Sequence, residues 1–276
     1  ATVFTWQWTN QYLLATTSGT NGALALDCSG WYTNGVVVQV TAVPTGGYQF
    51  LQWSGMGVPV GHSTDNPLNL TMDQARTVQA NFVSTLPASR VWSGIGPWLS
   101  LTNWSPPGLP GPADTVTIGS GQCRIADPAT VASLTVNSGA TLVFSNWNST
   151  LSATEIRIQG TVTHDYNPDT LAAGGWARDN RITFRSDVLV VSTGAWINAD
   201  QKGYAGGPAN SPGYGPGAGS GSHGGGYGGI GGYADTTYGG TYGSLTAPED
   251  PGSGGGGGNE QGAFGGGAIL IEATNI

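Results

Sequence analysis

Apolar and polar residues alternate along the first part of the chain, between short turn signals. Every second position of the segment 36–42 is apolar, and this segment follows the turn dipeptide Asn34-Gly35. The segment 48–53 has the same strand-like character, and no helical period of comparable length competes with it. Residues 1–85 therefore predict a small β module with Phe50 and Trp53 as core anchors.

A different unit recurs in the middle of the chain. An alternating strand is followed by a glycine turn that opens a second strand, and the three copies begin at Val131, Ile156 and Val188. Their turns, at Gly139, Gly160 and Gly194, are 21 and then 34 residues apart. A period near twenty is typical of a solenoid, because one rung cannot bury its inner face alone. We expect rungs of a right-handed β-helix over residues 119–202, and a β-sandwich is the alternative.

Residues 86–118 separate these two regions and are rich in proline and tryptophan. Six prolines lie between Pro87 and Pro112, together with Trp92, Trp98 and Trp104. Proline interrupts both helices and central strands, so this segment predicts neither. We expect it to cover an open end of the solenoid.

Glycine dominates the last region, residues 203–276. Residues 203–267 contain 28 glycines in 65 positions, and an apolar strand resumes at 268–273. Composition alone would predict a flexible linker. We instead expect an ordered lateral excursion whose extended, polyproline-II-like segments pack through glycine and hydrogen-bond each other. The strand at 268–273 would then return as the last rung.

Charge is scarce in this chain of 276 residues. Eight basic residues face sixteen acidic ones, which gives a net charge of -8, and charged residues make up only 9%. A chain without a basic surface is a poor partner for nucleic acid. No apolar run is long enough for membrane insertion. The low charge, the single lysine and a start at Ala1 without a leader segment predict a secreted protein at the cell surface.

The two cysteines, Cys28 and Cys123, are far apart and form no zinc-type motif. In an oxidising compartment we expect them to form a disulfide between two modules. It would close a loop of about 95 residues and contribute about 4 kcal/mol in the loop-entropy model. Two buried free thiols are the alternative.

Catalytic chemistry has little support in the sequence. His62, His164 and His223 match no triad or metal motif, and surface-loop histidines are the favoured interpretation. No motif brings together the carboxylates of the solenoid region, which are Asp127, Asp165, Asp169 and Asp179. We expect no enzyme, no catalytic residue and no cofactor.

A structural calcium ion is a lesser alternative to solvated acidic turns, because hard oxygen ligands on glycine-rich turns suit this cation. The candidate ligands are Asn198, Asp200, Asp235, Glu249, Asp250 and Glu260. They match neither an EF-hand nor a repeated calcium-binding turn.

Two resemblances add to this interpretation. The first covers residues 10–83 and rests on Val40–Pro44, Gly47-Tyr48-x-Phe50, Trp53-Ser54-Gly55, Asn66-Pro67, Met72 and Val78-x-Ala80-x-Phe82. These residues resemble the divergent relatives of the B repeat of bacterial internalins. The resemblance implies a β-grasp-like spacer or adhesive module without catalysis.

The second resemblance rests on Trp92-Ser93-Gly94-x-Gly96-x-Trp98, Asn103-Trp104-Ser105 and Asp114-x-Val116-x-Ile118. This segment is similar to the lead-in ahead of right-handed β-helices in autotransporter-like bacterial surface proteins. It implies a solenoid at the cell surface.

These observations predict a non-catalytic, extracellular structural or adhesive protein. The last rung has no polar cap after its isoleucines, so an exposed edge at Ile269, Ile271 and Ile276 would pair with a second copy. We therefore expect a filament subunit that assembles through strand or solenoid-end contacts, with cell-surface glycans as a second kind of partner. A carbohydrate-binding or polysaccharide-degrading β-helix protein is the alternative.

Overall fold

The structure, a computed structural model, describes residues 9–167, 175–232 and 239–276. Within these ranges the chain forms strands, one short 3-10 helix at Leu101–Asn103, and no α-helix. It divides into two compact units: unit 1 is Ala1–Pro87 with Leu109–Ala113, and unit 2 is Ala88–Gly108 with Asp114–Ile276. The all-β fold class is confirmed.

Unit 1 contains one four-stranded sheet and two ribbons. The sheet has the order β3-β1-β8-β6, in which β1 and β8 run parallel and the other pairs antiparallel. The antiparallel ribbons are β2–β5 and β4–β7. The strands are β1 (Gln11–Ser18), β2 (Gly22–Leu24), β3 (Gly30–Thr33), β4 (Val37–Val40), β5 (Ala42–Pro44), β6 (Tyr48–Ser54), β7 (Leu68–Thr71) and β8 (Arg76–Ser84).

The core of unit 1 follows the predicted alternation. Trp53 is fully buried, and Phe50 packs against it with ring centroids 5.3 Å apart. In β7, Leu68 and Leu70 are buried, whereas the side chains between and after them, Asn69 and Thr71, are exposed. Period-two alternation thus gives β7 one apolar face in the core and one polar face outside.

Unit 2 contains two sheets whose strands alternate along the chain. The larger, eight-stranded sheet has the order β11-β9-β12-β15-β17-β19-β21, with β14 also paired to β17, and the smaller has the order β10-β13-β16-β18-β20. The strands are β9 (Ser89–Trp92), β10 (Ile95–Pro97), β11 (Trp104–Ser105), β12 (Thr115–Ile118), β13 (Gln122–Ile125), β14 (Ala129–Thr130), β15 (Ser133–Val136), β16 (Thr141–Phe144), β17 (Leu151–Ile158), β18 (Thr161–His164), β19 (Arg181–Val191), β20 (Trp196–Asn198) and β21 (Ala268–Asn275).

All pairings in these sheets are parallel except that of β11 with β9. We call one strand of the larger sheet, together with the following strand of the smaller one, a coil. Successive coils are in register, so side chains form columns such as Val116, Leu134, Ile156 and Leu189, which are all buried. This parallel pairing differs from the antiparallel sheets of an immunoglobulin-like sandwich, but two sheets of this kind are compatible with a sandwich-like arrangement, so the β-sandwich alternative stays open. The right-handed β-helix itself stays a prediction.

The segment rich in proline and tryptophan differs from the prediction, because it contains a central strand. Strand β9 lies between β11 and β12, and β10 pairs with β13, so this segment forms the first coil. The four residues of β9 contain no proline, which is why they can pair on both sides. Trp104 contacts both Trp92 and Trp98 edge to face, with centroids 5.1 and 4.9 Å apart, and all three are buried.

The glycine-rich segment between β20 and β21 is held by its own backbone. The amide of Tyr204 donates to Gly252 at 2.9 Å, and that of Gly255 donates to Ala263 at 2.9 Å. A Cβ atom at Gly254 would lie 1.9 Å from the carbonyl oxygen of Ala205, so only glycine permits this approach. The predicted hydrogen-bonded packing through glycine is confirmed for the described residues.

Candidate functional site

The last strand of the larger sheet, β21, forms an open edge. In the described part of the chain it pairs only with β19, in a register that joins Ile269 to Ile182 and Ile271 to Phe184. Ile182 and Phe184 are completely buried, whereas Ile269 is 41% exposed. Ile269 and Ile271 therefore continue interior columns that no further described strand covers.

Ile276 directly follows this strand. It comes after Asn275, which pairs with Val188. Its side chain is 87% exposed. Burying an isoleucine side chain completely contributes about 1.5–3 kcal/mol, so covering this edge would contribute several kcal/mol.

Few charged residues protect the β21 edge from pairing. In natural proteins, lysine, proline or a bulge usually prevents an edge strand from pairing with another chain. Strand β21 has a single charged residue, Glu272, whose Oε2 lies 2.5 Å from Nε of Arg185 on the neighbouring strand. Both side chains are more than half exposed, so this pair contributes little to stability.

The smaller sheet is open at both of its ends. Its outermost strands, β20 and β10, have one partner each among the described residues, β18 and β13. Trp196 on β20 is 64% exposed and Ile95 on β10 is 80% exposed. Neither residue belongs to the predicted assembly edge, although a large apolar side chain within a short strand was the available signal.

The opposite end of the interior is closed by polar and aromatic groups. In β9, Arg90 lies in register with Val116, and its Nε is 2.6 Å from the buried carboxylate of Asp114. Trp92 continues the column that runs through Ile118. One end of the stack is thus covered, whereas the other exposes isoleucine.

Both predicted disulfide cysteines carry free thiols in the structure, and the disulfide stays a prediction. Cys123 lies within an interior column, between Gly96 and Leu142, and is completely buried. This burial raises the pKa of its thiol far above the usual range. Cys28 is half-buried, and its Sγ lies 3.6 Å from the carbonyl oxygens of Leu26 and Gln39.

The surface-loop interpretation is wrong for two of the three histidines. His164 lies in β18, in a column with Ile125 and Phe144, and is fully buried. Burial lowers its pKa, and its Nδ1 lies 2.6 Å from the carbonyl oxygen of Asp165. His223 is also buried, within the glycine-rich segment. The sequence signal for His164 was its place at the end of an alternating strand.

The described carboxylates that were considered for catalysis or calcium binding include two that form ion pairs and one that is partly buried. Asp165 forms an ion pair with Arg124, and burial raises the pKa of Asp127. Oδ1 of Asp250 is 2.5 Å from Nε of Arg178. The described residues contain no group of three or more His, Cys, Asp or Glu side chains placed to hold a metal ion. Asp169 and Asp235 lie outside the described residues.

Unit 1 also contains a polar cavity of about 380 Å³. It is lined by Pro59, His62, Asp65, Leu68, Asn69, Thr71, Asp73 and Arg76. His62 Nδ1 and Asp65 Oδ2 are 2.7 Å apart, and Asp73 Oδ1 is 2.6 Å from Nη2 of Arg76. The sequence offers no local motif that connects His62 and Asp65 with residues 69–76.

Two families of known domains match this chain. Residues 12–85 match the divergent InlB B-repeat domain. Residues 103–197 match the G8 domain. The predicted B-repeat resemblance is confirmed, whereas the resemblance to autotransporter-like proteins is not supported, because the matching family there is G8. A search of curated proteins and a search of solved structures each found no match.

The B-repeat and G8 matches indicate an extracellular surface or adhesion-type protein. Both families are in general non-catalytic surface domains. Among the described residues there is no helix with the length and apolarity needed to cross a bilayer.

Proposed function

We propose that this protein is a non-catalytic subunit of an extracellular filament, and that copies join through the open end of unit 2. The observation that carries this proposal is the β21 edge, where interior columns end at Ile269 and Ile271. An exposed, nearly uncharged strand edge is a template for pairing with another chain. A second copy of this chain is the proposed occupant.

A filament needs two different surfaces that fit each other. A contact between two β21 edges would be isologous and would stop at a dimer, whereas a head-to-tail contact continues indefinitely. The second surface is the far end of the smaller sheet, where β10 exposes Ile95. At the far end of the larger sheet the outermost strand, β11, has only two residues, whereas β10 has three, so we take β10 as the second surface.

The test combines negative-stain electron microscopy with light scattering over a range of protein concentrations. The wild-type protein should form elongated particles whose length grows with concentration, and the double variant Ile269→Lys/Ile271→Lys should remain monomeric. Leu245→Lys is the matched control, because Leu245 is 78% exposed but lies in the glycine-rich segment, and this variant should assemble normally. Monodisperse wild-type particles at high concentration would contradict the proposal.

A further inference from the structure

We propose that the polar cavity of unit 1 binds a neutral sugar unit. This inference does not rest on filament formation. Ligand sites in proteins are commonly clefts of about 300–1,000 Å³ that combine an apolar surface with a few convergent polar groups. The cavity of about 380 Å³ lies near the lower limit, a size suited to one sugar ring.

The walls of the cavity are held in place by buried bonds. Arg76 is 7% exposed and donates from Nε to the carbonyl of Thr71 at 3.0 Å, from Nη2 to Asp73, and from Nη1 to the carbonyl of Gly57. It thus ties the end of β7 to the loop that follows β6. A cavity fixed in this way binds a ligand without a further cost of ordering its walls.

A second anchor holds the other wall. The indole Nε1 of buried Trp53 donates to the carbonyl oxygen of Asp65 at 2.7 Å, and the amide of Trp53 donates to Ser63 at 2.7 Å. The side chain of Asn66 bonds both the amide and the carbonyl of Ala42, at 2.9 and 2.8 Å. The Trp53 indole thus bonds the backbone carbonyl of Asp65, whereas the carboxylate of Asp65 contacts His62 through Oδ2.

Several polar atoms at the cavity have unused hydrogen-bonding capacity. Asn69 accepts one bond from Gln39 Nε2 at 3.2 Å, which leaves its own amide hydrogens to donate. The hydroxyl of Thr71 has no partner among the described residues. Asp65 Oδ2 pairs with His62 Nδ1 and Asp73 Oδ1 with Arg76 Nη2, and the second oxygen of each carboxylate has no partner within the part of the chain that the structure describes. Because hydroxyl groups both donate and accept, a ring carrying several of them matches this set.

Charge and apolar contact narrow the class of ligand. Two carboxylates line the cavity, and its one arginine is already bonded to Asp73 and to two backbone carbonyls. An anionic sugar such as a uronate would meet like charge there. Leu68 and Pro59 line the same cavity and can contact the C–H face of a ring. A neutral, hydroxyl-rich ring is therefore favoured.

The experiment presents the full chain to an array of neutral, uronate-containing and free-amine oligosaccharides. The strongest neutral binder is then titrated calorimetrically against variants. Asp65→Ala and Asn69→Ala should each weaken binding at least tenfold, because each removes a group that contacts sugar hydroxyls. Gln11→Ala, an exposed substitution elsewhere in unit 1, should leave affinity unchanged. Thermal unfolding of each variant checks that unit 1 remains folded.

Three outcomes would overturn the proposal: no binding of any neutral oligosaccharide, stronger binding of uronate or amine sugars, or neutral binding that survives both substitutions. The Ile269→Lys/Ile271→Lys variant should bind the sugar as well as the wild type does. Failure of the sugar site and failure of filament assembly are thereby distinguished.

Discussion

The buried ion pair at the closed end of unit 2 gives the most quantitative prediction. Asp114 and Arg90 have side chains only 1% and 8% exposed. The carboxylate accepts from Arg90 Nε at 2.6 Å and from the backbone amide of Ala88 at 2.8 Å. The substitution Asp114→Ala would leave the guanidinium buried with neutral carbonyl partners, those of Pro106 and Pro107. We expect a loss of about 3–5 kcal/mol in the unfolding free energy of unit 2.

Urea unfolding of the full chain, followed by tryptophan fluorescence and far-ultraviolet circular dichroism, measures this loss. The matched control is Glu155→Ala, because Glu155 pairs with Arg157 two residues further along the same strand, β17, with both side chains more than 40% exposed. Removal of an exposed pair costs at most about 1 kcal/mol. The double substitution Arg90→Met/Asp114→Leu removes both charges and should recover most of the lost stability. The reasoning is refuted if Asp114→Ala costs as little as the control, or if the double variant is less stable than Asp114→Ala.

Three further predictions concern other parts of the chain. Gly254→Ala should destabilise the glycine-rich segment by about 1–3 kcal/mol or more, because the added Cβ would meet a backbone oxygen 1.9 Å away. Hydrogen exchange measures this loss, and Gly240→Ala is the control, because a Cβ at Gly240 would meet no atom within 4 Å. In the reduced, folded protein, Cys28 should react with a thiol reagent and Cys123 only after unfolding, because burial raises the pKa of the Cys123 thiol; equal rates for the two thiols before unfolding would contradict this. Burial raises the pKa of Tyr242 to about 12 from its usual 10.0. The unfolded chain therefore loses this proton first, and stability should fall between pH 10 and 12. Tyr242→Phe should remove that part of the pH dependence in denaturant titrations.

The strands of unit 2 could be predicted because their interior is periodic. Alternation at Leu134 and Val136, followed by the turn at Gly139, identified a coil from local sequence alone, and Gly139 has the expected positive φ of 79°. Strand β9 was missed because prolines around it dominated the interpretation of the whole segment. Its pairing depends on β11 and β12, which lie later in the chain, and no local pattern reports such a partner.

The two candidate sites also differ in whether local sequence could predict them. Ile269 and Ile271 could be selected from the sequence because alternating isoleucines within an apolar strand are a local feature. The cavity in unit 1 could not, because it joins His62 and Asp65 to side chains beyond β7, and β7 is positioned by pairing with β4. Arg76 contributes through three bonds to separate segments, so its role is visible only in three dimensions.

The return of the chain at β21 has a mechanical consequence. Strand β21 holds the far end of a segment that runs from residue 199 to residue 267, and seven of its eight residues pair with β19. Force applied to β21 could detach this strand and break the backbone hydrogen bonds within the glycine-rich segment. The released segment has an extended length of about 230 Å, at about 3.4 Å per residue. The coils from β9 to β20 would remain stacked during that extension. The protein would then lengthen under load, and this extension would protect the rest of unit 2 from unfolding.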